Sequence, residues 1–157
     1  MKSLVSQEPV THIQPFIRRV VVAVDLTARS TTTSEYAVKI AKSFGASLLF
    51  VYVHPMETMF NFVMNGGYDL IDEEQLNRRY ALSNLVEAAC KEYPFCTSTF
   101  LVGDPAEEVA KYAQETDADL IVVASHHPNV LASLLHLDQA PKMIHRAPCP
   151  VLVYQTE

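Results

Sequence analysis

Apolar runs alternate with amphipathic segments along most of this chain. Runs rich in β-branched and other apolar residues are typical of strands buried in a parallel sheet. They lie at 19–25, 47–53, 97–102, 119–125 and 150–154. Helices are predicted at 34–44, 76–93, from Pro105 to near Asp117, and at about 138–146. This alternation predicts a doubly wound, five-stranded parallel sheet with helices on both faces.

The start of the third helix has the clearest local signal. The stretch from Gly103 to Glu107 reads GDPAE, which places Asp104 at the N-cap, Pro105 at the first helical position and an acid at the third. Each of these residue types is favoured at its position. The sequence therefore predicts that the strand over 97–102 ends before Gly103 and that a helix begins directly after Asp104.

Length and composition indicate one globular domain. The chain has 157 residues, of which 49% are hydrophobic and 19% charged, so disorder is excluded. We divide it into an N-terminal arm, 1–17, and a domain, 18–157. No apolar stretch is long enough for a membrane span or a signal peptide. The odd set of three cysteines favours a reducing compartment, and the predicted location is cytoplasmic.

Charge and residue spacing exclude several functions. The net charge of −6 and the lack of a long basic run argue against nucleic acid as a partner. His126, His127 and His136 have no acid or cysteine at ligand spacing, so no metal is predicted. Cys149 lies between prolines and is interpreted as a packed thiol, and Ser125 lacks the turn that exposes a nucleophile. The sequence predicts no catalytic residues.

Four motifs carry a resemblance to a known family. They are VVVAVD at 20–25, GDPAEEV at 103–109, ADLIVVAS at 118–125 and HRAPCPVLVY at 145–154. Together they resemble the universal stress protein family over residues 18 to 155. The resemblance implies a five-stranded doubly wound fold and usually a dimer. In one branch of the family it also implies an ATP site built from G-x-x-G, nine residues, then Gly followed by Ser or Thr.

That glycine pattern is absent from this chain. Aligning the C-terminal motif with the family places Ala124 and His127 at the first two glycines, and Leu137 and Asp138 at the Gly-Ser pair. Glycine lets backbone N–H groups approach a phosphate, and side chains at these positions obstruct that approach. Asp138 would also cap the helix N-terminus and repel an anion. We predict no cofactor, and ATP in particular is disfavoured.

Part of the family's site remains. The resemblance implies that Asp25 matches the acid that contacts adenosine and that Val53 matches the position whose backbone reads adenine. A second interpretation of Asp25 is a polar cap that binds nearby backbone donors at a strand end. We therefore treat Asp25, Val53, Ala124, His127 and Asp138 as a degenerate nucleotide site.

Two further segments suggest contacts with other chains. Residues 55–72 contain an unusual number of methionine and aromatic side chains for a connection between elements. This segment is interpreted either as a short helix that covers the core or as a surface for a protein partner or ligand. The last strand, with Val151, Leu152 and Val153, is predicted at a sheet edge, where a second copy can pair with it.

The sequence thus predicts a non-enzymatic, dimeric universal stress protein that acts through protein interactions and has a degenerate ATP site. The alternative is an adenine-nucleotide (ATP or AMP) binding protein with altered phosphate contacts.

Overall fold

The computed structural model describes residues 16–56, 63–66, 73–125 and 139–155. Strands and helices alternate through them. In chain order they are β1 (Arg19–Ala23), α1 (Arg29–Phe44), β2 (Ser47–Pro55), α2 (Glu73–Glu92), β3 (Cys96–Gly103), α3 (Pro105–Glu115), β4 (Leu120–Ser125), α4 (Gln139–Arg146) and β5 (Val151–Gln155). None of the described helices is long and apolar enough to cross a membrane.

The five strands form one parallel sheet in the order β3-β2-β1-β4-β5. Strand order reverses direction between β1 and β4, which pair with Val20 opposite Leu120. The predicted doubly wound sheet is confirmed, and so is the edge position of β5. The first strand, β1, lies at the centre of the sheet. Strands β2 and β3 follow on one side of it, and β4 and β5 on the other.

Helices cover both faces of the sheet, so the core has two layers. On one face, α1 and α2 pack on alternate strand residues such as Val20, Val22 and Phe50. On the other, α3 and α4 pack on the residues between them, such as Val21, Val51 and Ile121. Burial of both sets explains why the strands of this chain are almost continuously apolar.

The start of α1 corrects the sequence prediction. The sequence predicted a helix over 34–44, preceded by a loop rich in Thr and Ser. In the structure, the helix begins at Arg29. Ser30, Thr33 and Ser34 are buried in the first turns of this helix. The Thr33 hydroxyl donates to the Arg29 carbonyl at 3.2 Å, and Ser30 Oγ donates to Asp25 Oδ1 at 2.9 Å. Satisfied hydroxyls and tertiary burial outweigh the low helix propensity of these residues.

The predicted start of α3 is confirmed in detail. Asp104 has an extended backbone, and its Oδ1 accepts the Glu107 N–H at 3.0 Å, with Pro105 at the start of the helix. Gly103 has a φ of 152°, and a Cβ built there would lie 2.8 Å from Glu108 Cγ. The turn from β3 into α3 therefore depends on Gly103, which has no side chain, and on Asp104, which caps the N-terminus of α3.

Asp104→Ala tests the capping bond. Removing the carboxylate leaves the Glu107 N–H without its acceptor, so we expect a loss of about 1 kcal/mol in the free energy of unfolding, measured by urea denaturation. Asp104→Asn keeps an acceptor oxygen and serves as the control, with a much smaller expected loss. Equal losses in the two variants would show that the charge, and not the capping bond, stabilises this turn.

Candidate ligand-binding cavity at the carboxyl edge of the sheet

A cavity of about 360 Å³ lies at the carboxyl ends of the strands. It spans the point between β1 and β4 where strand order reverses, which is the usual place for ligands in open α/β sheets. Strand ends, the first turn of α3, and α4 contribute to its walls. The described residues that line it are Ala23, Val24, Asp25, Val51, Tyr52, Val53, Pro55, Pro105, Val109, Val123, Ala124, Met143, Ile144, Val151 and Val153.

Asp25 organises the loop that follows β1. Its Oδ1 accepts hydrogen bonds from Thr27 N at 3.0 Å, from Thr27 Oγ1 at 2.8 Å and from Ser30 Oγ at 2.9 Å. The intervening Leu26 has a φ of 60°, a left-handed conformation that is unfavourable for a residue with a side chain. The carboxylate thus holds a strained turn, as in the capping interpretation, and it also lines the cavity.

Three of the five predicted site residues meet at this cavity. Asp25, Val53 and Ala124 come from the ends of three different strands and all line it. His127 and Asp138 lie outside the described residues, as does Leu137. The structure therefore brings together Asp25 and Val53, which the family resemblance assigns to adenosine, with Ala124, which it places at the first glycine of the phosphate motif. Binding by these residues stays a prediction.

Other walls of the cavity were not predicted from the sequence. Val109 on α3, Met143 on α4 and Val151 on β5 are distant in sequence, and each belongs to an apolar pattern that indicates core packing. Val109 and Met143 lie on the two helices that cover one face of the sheet, and Val151 is the first residue of β5. Periodicity alone does not distinguish a cavity wall from a filled core.

The opposite face of the same edge carries an aromatic cluster. His54 is buried, and its ring centroid lies 6.1 Å from that of Phe100, which in turn lies 5.3 Å from that of Tyr52. The Arg79 guanidinium lies 4.0 Å above the Phe100 ring, a favourable cation–π contact. Burial raises the pKa of Tyr52 above its ordinary value.

Two of the three thiols, those of Cys96 and Cys149, have surroundings that disfavour the reactive thiolate. Cys149 is half-buried, and burial followed by the nearby Asp119 charge raises its thiol pKa. Burial also raises the pKa of Cys96 to about 12. A raised pKa leaves little thiolate at neutral pH, and the thiolate is the reactive form. The interpretation of Cys149 as a packed thiol agrees with these surroundings.

Within the described ranges, no three His, Cys, Asp or Glu side chains are grouped to hold a metal ion. His126, His127 and His136, which the sequence singled out, lie outside those ranges. Ser125 ends β4, at the edge of the sheet where the cavity lies.

A parallel sheet covered by helices on both faces, with a reversal of strand order at its centre, defines the doubly wound class of α/β proteins. Within that class, the sequence model described as the universal stress protein family matches residues 17–155. The chain belongs to this family. The resemblance seen in the four sequence motifs is confirmed.

Curated relatives agree with this assignment. A universal stress protein of Thermus aquaticus is 33% identical over 116 residues, covering 72% of this chain and 80% of the relative. One from Methanocaldococcus jannaschii is 28% identical over 137 residues, covering 87% of this chain and 81% of the relative. Both are named as universal stress proteins and nothing narrower.

Solved structures share the fold. A universal stress protein of Archaeoglobus fulgidus in complex with dAMP has a TM-score of 0.64 at 24% identity, with 88% of this chain and 98% of that chain covered. A universal stress protein in complex with cAMP has a TM-score of 0.70 at 20% identity, with 90% and 98% covered. At these identities the similarity demonstrates the fold.

Proposed function

We propose that this chain is a non-enzymatic, cytoplasmic universal stress protein that works as a homodimer through interactions with other proteins and does not bind ATP. The observation that carries the proposal is the composition of the loop and helix after β4. No glycine occurs between Asp104 and the end of the chain, so the phosphate-binding pattern has no counterpart. The raised pKa values of Cys96 and Cys149 disfavour a nucleophilic role for these two thiols.

The loss of phosphate contacts follows from the chemistry of the site. Backbone N–H groups bind phosphate only where no Cβ blocks the approach, and this chain has His127 and Leu137 at two of those positions. Asp138 adds a carboxylate where the phosphate charge would lie. Sterics and charge therefore both disfavour a triphosphate.

A specific observation favours a second candidate function. Asp25 and Val53 both line the cavity, and two solved structures of the same fold are complexes with dAMP and cAMP. Adenine-nucleotide binding with altered phosphate contacts is therefore the alternative. A nucleotide that co-purifies with the protein, identified by mass spectrometry, would favour this alternative over the main proposal.

Titration with ATP and magnesium in a calorimeter tests the main proposal. Because the phosphate contacts are missing, we expect no saturable heat below about 1 mM ATP, where binding would be worth only about 4 kcal/mol. The positive control is a family member that carries the glycine motif, titrated in the same buffer. A dissociation constant in the micromolar range for this chain would contradict the proposal.

The dimer is proposed through the outer edge of β5. The two edges of the sheet differ in chemistry: β3 carries the exposed polar residues Thr97 and Ser98, whereas β5 carries Val151, Leu152 and Val153. Val153 is 37% exposed despite being apolar. An apolar strand edge without charges is a template for pairing, and a two-fold copy covers it by symmetry.

Lysines on β5 test the dimer interface. Val151→Lys with Val153→Lys places like charges against their symmetry copies, so we expect a shift from dimer to monomer mass in light scattering. Thr97→Lys with Ser98→Lys adds the same charge to the opposite edge and should leave the dimer intact. Circular dichroism must show folded protein in both variants. A folded β5 variant that stays dimeric would place the interface elsewhere.

The proposed surface for other proteins is the segment 55–72. Its described part, residues 55–56 and 63–66, includes Met56 and Met64, which are 62% and 68% exposed. Met59, Phe60 and Phe62 lie outside the described residues. Exposed methionine is flexible and polarisable, which suits a surface that accepts a protein partner.

Met56→Ser with Met64→Ser tests this surface. Both side chains are exposed, so the urea midpoint should change little, while capture of partner proteins by the tagged protein should be lost. Phe95→Ser is the matched control, because Phe95 is also apolar and 64% exposed but lies next to the amino end of β3. Equal capture by wild type and the methionine variant would exclude the segment as the partner surface.

A further inference from the structure

We infer that Cys90 and Cys96 form a reversible oxidation site, at which a hydroperoxide converts the two thiols into a disulfide between α2 and β3. This inference goes beyond the function proposed above and does not depend on whether the protein binds ATP. It concerns a modification of the protein and not a catalytic activity, since the pair is oxidised once and must then be reduced again.

The two thiols lie at the same turn of the chain. Cys90 is in the last turn of α2, and Cys96, six positions later, is the first residue of β3. Cys90 Sγ lies 3.7 Å from the Cys96 carbonyl oxygen, and Cys96 Sγ lies 2.9 Å from the Tyr93 carbonyl oxygen. A thiol is a weak donor, so a side-chain rotation that brings the two sulfurs together gives up little hydrogen bonding. The Cys90 side chain therefore already reaches the backbone of its partner.

The surroundings of the pair assign a different role to each thiol. Burial first, and then the charge and a side-chain hydrogen bond of Cys90, raise the pKa of Cys96 to about 12. Cys96 thus keeps its proton at neutral pH, and a protonated thiol is a poor nucleophile toward a peroxide. We therefore assign the first attack to Cys90 and the closing step to Cys96.

Hydrogen bonds hold the turn between the two cysteines. The Tyr93 N–H donates to the Ala89 carbonyl at 2.8 Å, and the Tyr93 hydroxyl donates to the Ala46 carbonyl at 2.8 Å. The Phe95 carbonyl accepts from the Leu48 N–H at 2.8 Å. Because the turn is anchored to both the helix and the sheet, the thiols stay near each other in the reduced protein. This proximity favours a bond within one molecule over a bond between molecules.

The third thiol lies on the other face of the sheet. Cys90 and Cys96 pack against the core layer under α1 and α2, whereas Cys149 packs against the layer under α3 and α4. All three are half-buried, so exposure alone does not distinguish them. The sheet separates Cys149 from the other two, and the fold therefore selects the pair that reacts.

One hydroperoxide, such as hydrogen peroxide, balances the oxidation. The Cys90 thiolate attacks a peroxide oxygen, which forms an S–O bond, breaks the O–O bond and releases hydroxide that takes up the thiol proton as water. The Cys96 sulfur then attacks the sulfur of this sulfenic acid, so that the S–S bond forms, the S–O bond breaks and a second water leaves. Each sulfur loses one electron, and the two peroxide oxygens gain them.

A dithiol reverses the reaction by thiol–disulfide exchange. Disulfides in cytosolic proteins are usually transient and often sense oxidants, so a reversible pair also fits the proposed cytoplasmic location. When formed, the bond would tie the last turn of α2 to the edge strand β3 of the sheet.

Peptide mapping after peroxide treatment tests the inference. Trypsin cleaves after Lys91, which places Cys90 in the peptide 80–91 and Cys96 in the peptide 92–111. In dilute, folded protein treated with hydrogen peroxide, we expect these two peptides to be joined and the intact monomer to be about 2 Da lighter, with both changes reversed by dithiothreitol. The inference is wrong if the peptides stay separate at a peroxide dose that oxidises free cysteine in the same buffer. It is also wrong if they are joined only in covalent dimers.

Serine variants test the pairing and the order of reaction. Cys90→Ser and Cys96→Ser should each abolish the mass loss, and Cys149→Ser, the matched control, should retain it. Dimedone, which labels sulfenic acids, should label Cys90 in the Cys96→Ser protein, because the thiol that closes the disulfide is missing. A disulfide that survives either of the first two changes, or that requires Cys149, would overturn the pairing. Labelling of Cys96 in Cys90→Ser protein, without labelling of Cys90 in the other variant, would overturn the assigned order.

Circular dichroism must show that each variant is folded. If Cys90→Ser or Cys96→Ser protein is unfolded, the Cys149→Ser protein still decides the inference, since Cys90 and Cys96 are the two cysteines that remain in it. The joined peptides must then form in that variant as in wild type.

Discussion

Val20, Val21 and Val22 of the central strand are completely buried, because helices cover both faces of the sheet. Each such burial contributes roughly 1.5–3 kcal/mol, and the alternating residues belong to two separate core layers. A strand enclosed in this way offers no surface for polar chemistry along its length. Loops, charges and ligands are therefore confined to the strand ends, and the cavity lies where the order of the strands reverses.

The carboxyl edge of the sheet positions both the cavity and the loop that follows β1. The sheet still leaves a space between β1 and β4, because the crossovers on either side of that point run in opposite directions. Asp25 still stands at the end of β1 and holds the turn that contains Leu26. After β4, however, the chain has side chains where phosphate binding requires glycine. The cavity itself depends on the sheet and the covering helices, whose residues line it.

Strand β5 links the cavity to the outside of the molecule. Val151 and Val153 line the cavity, while Leu152 packs against the opposite core layer and Tyr154 stacks on Tyr36 at a centroid distance of 4.3 Å. The outer edge of the same strand has no neighbour among the described strands. In the proposed dimer, one strand would therefore form both a wall of each cavity and the contact between subunits. A ligand that shifts β5 would then affect both the cavity and the contact between the subunits.

The sequence by itself determined the order of strands and helices, the family, and the start of α3, because these depend on local periodicity and on capping residues next to each other in the chain. It also marked Asp25, Val53 and Ala124, since each follows or ends a recognisable strand. Two features depend on contacts between residues distant in the sequence, so only the tertiary structure decided them: the start of α1 and the cavity. The start of α1 at Arg29 depends on burial of Ser30, Thr33 and Ser34, which outweighs their propensity. The cavity depends on the approach of Val109, Met143 and Val151, whose apolar spacing is the same as that of filled core, so only their positions in space distinguish a binding wall from packing.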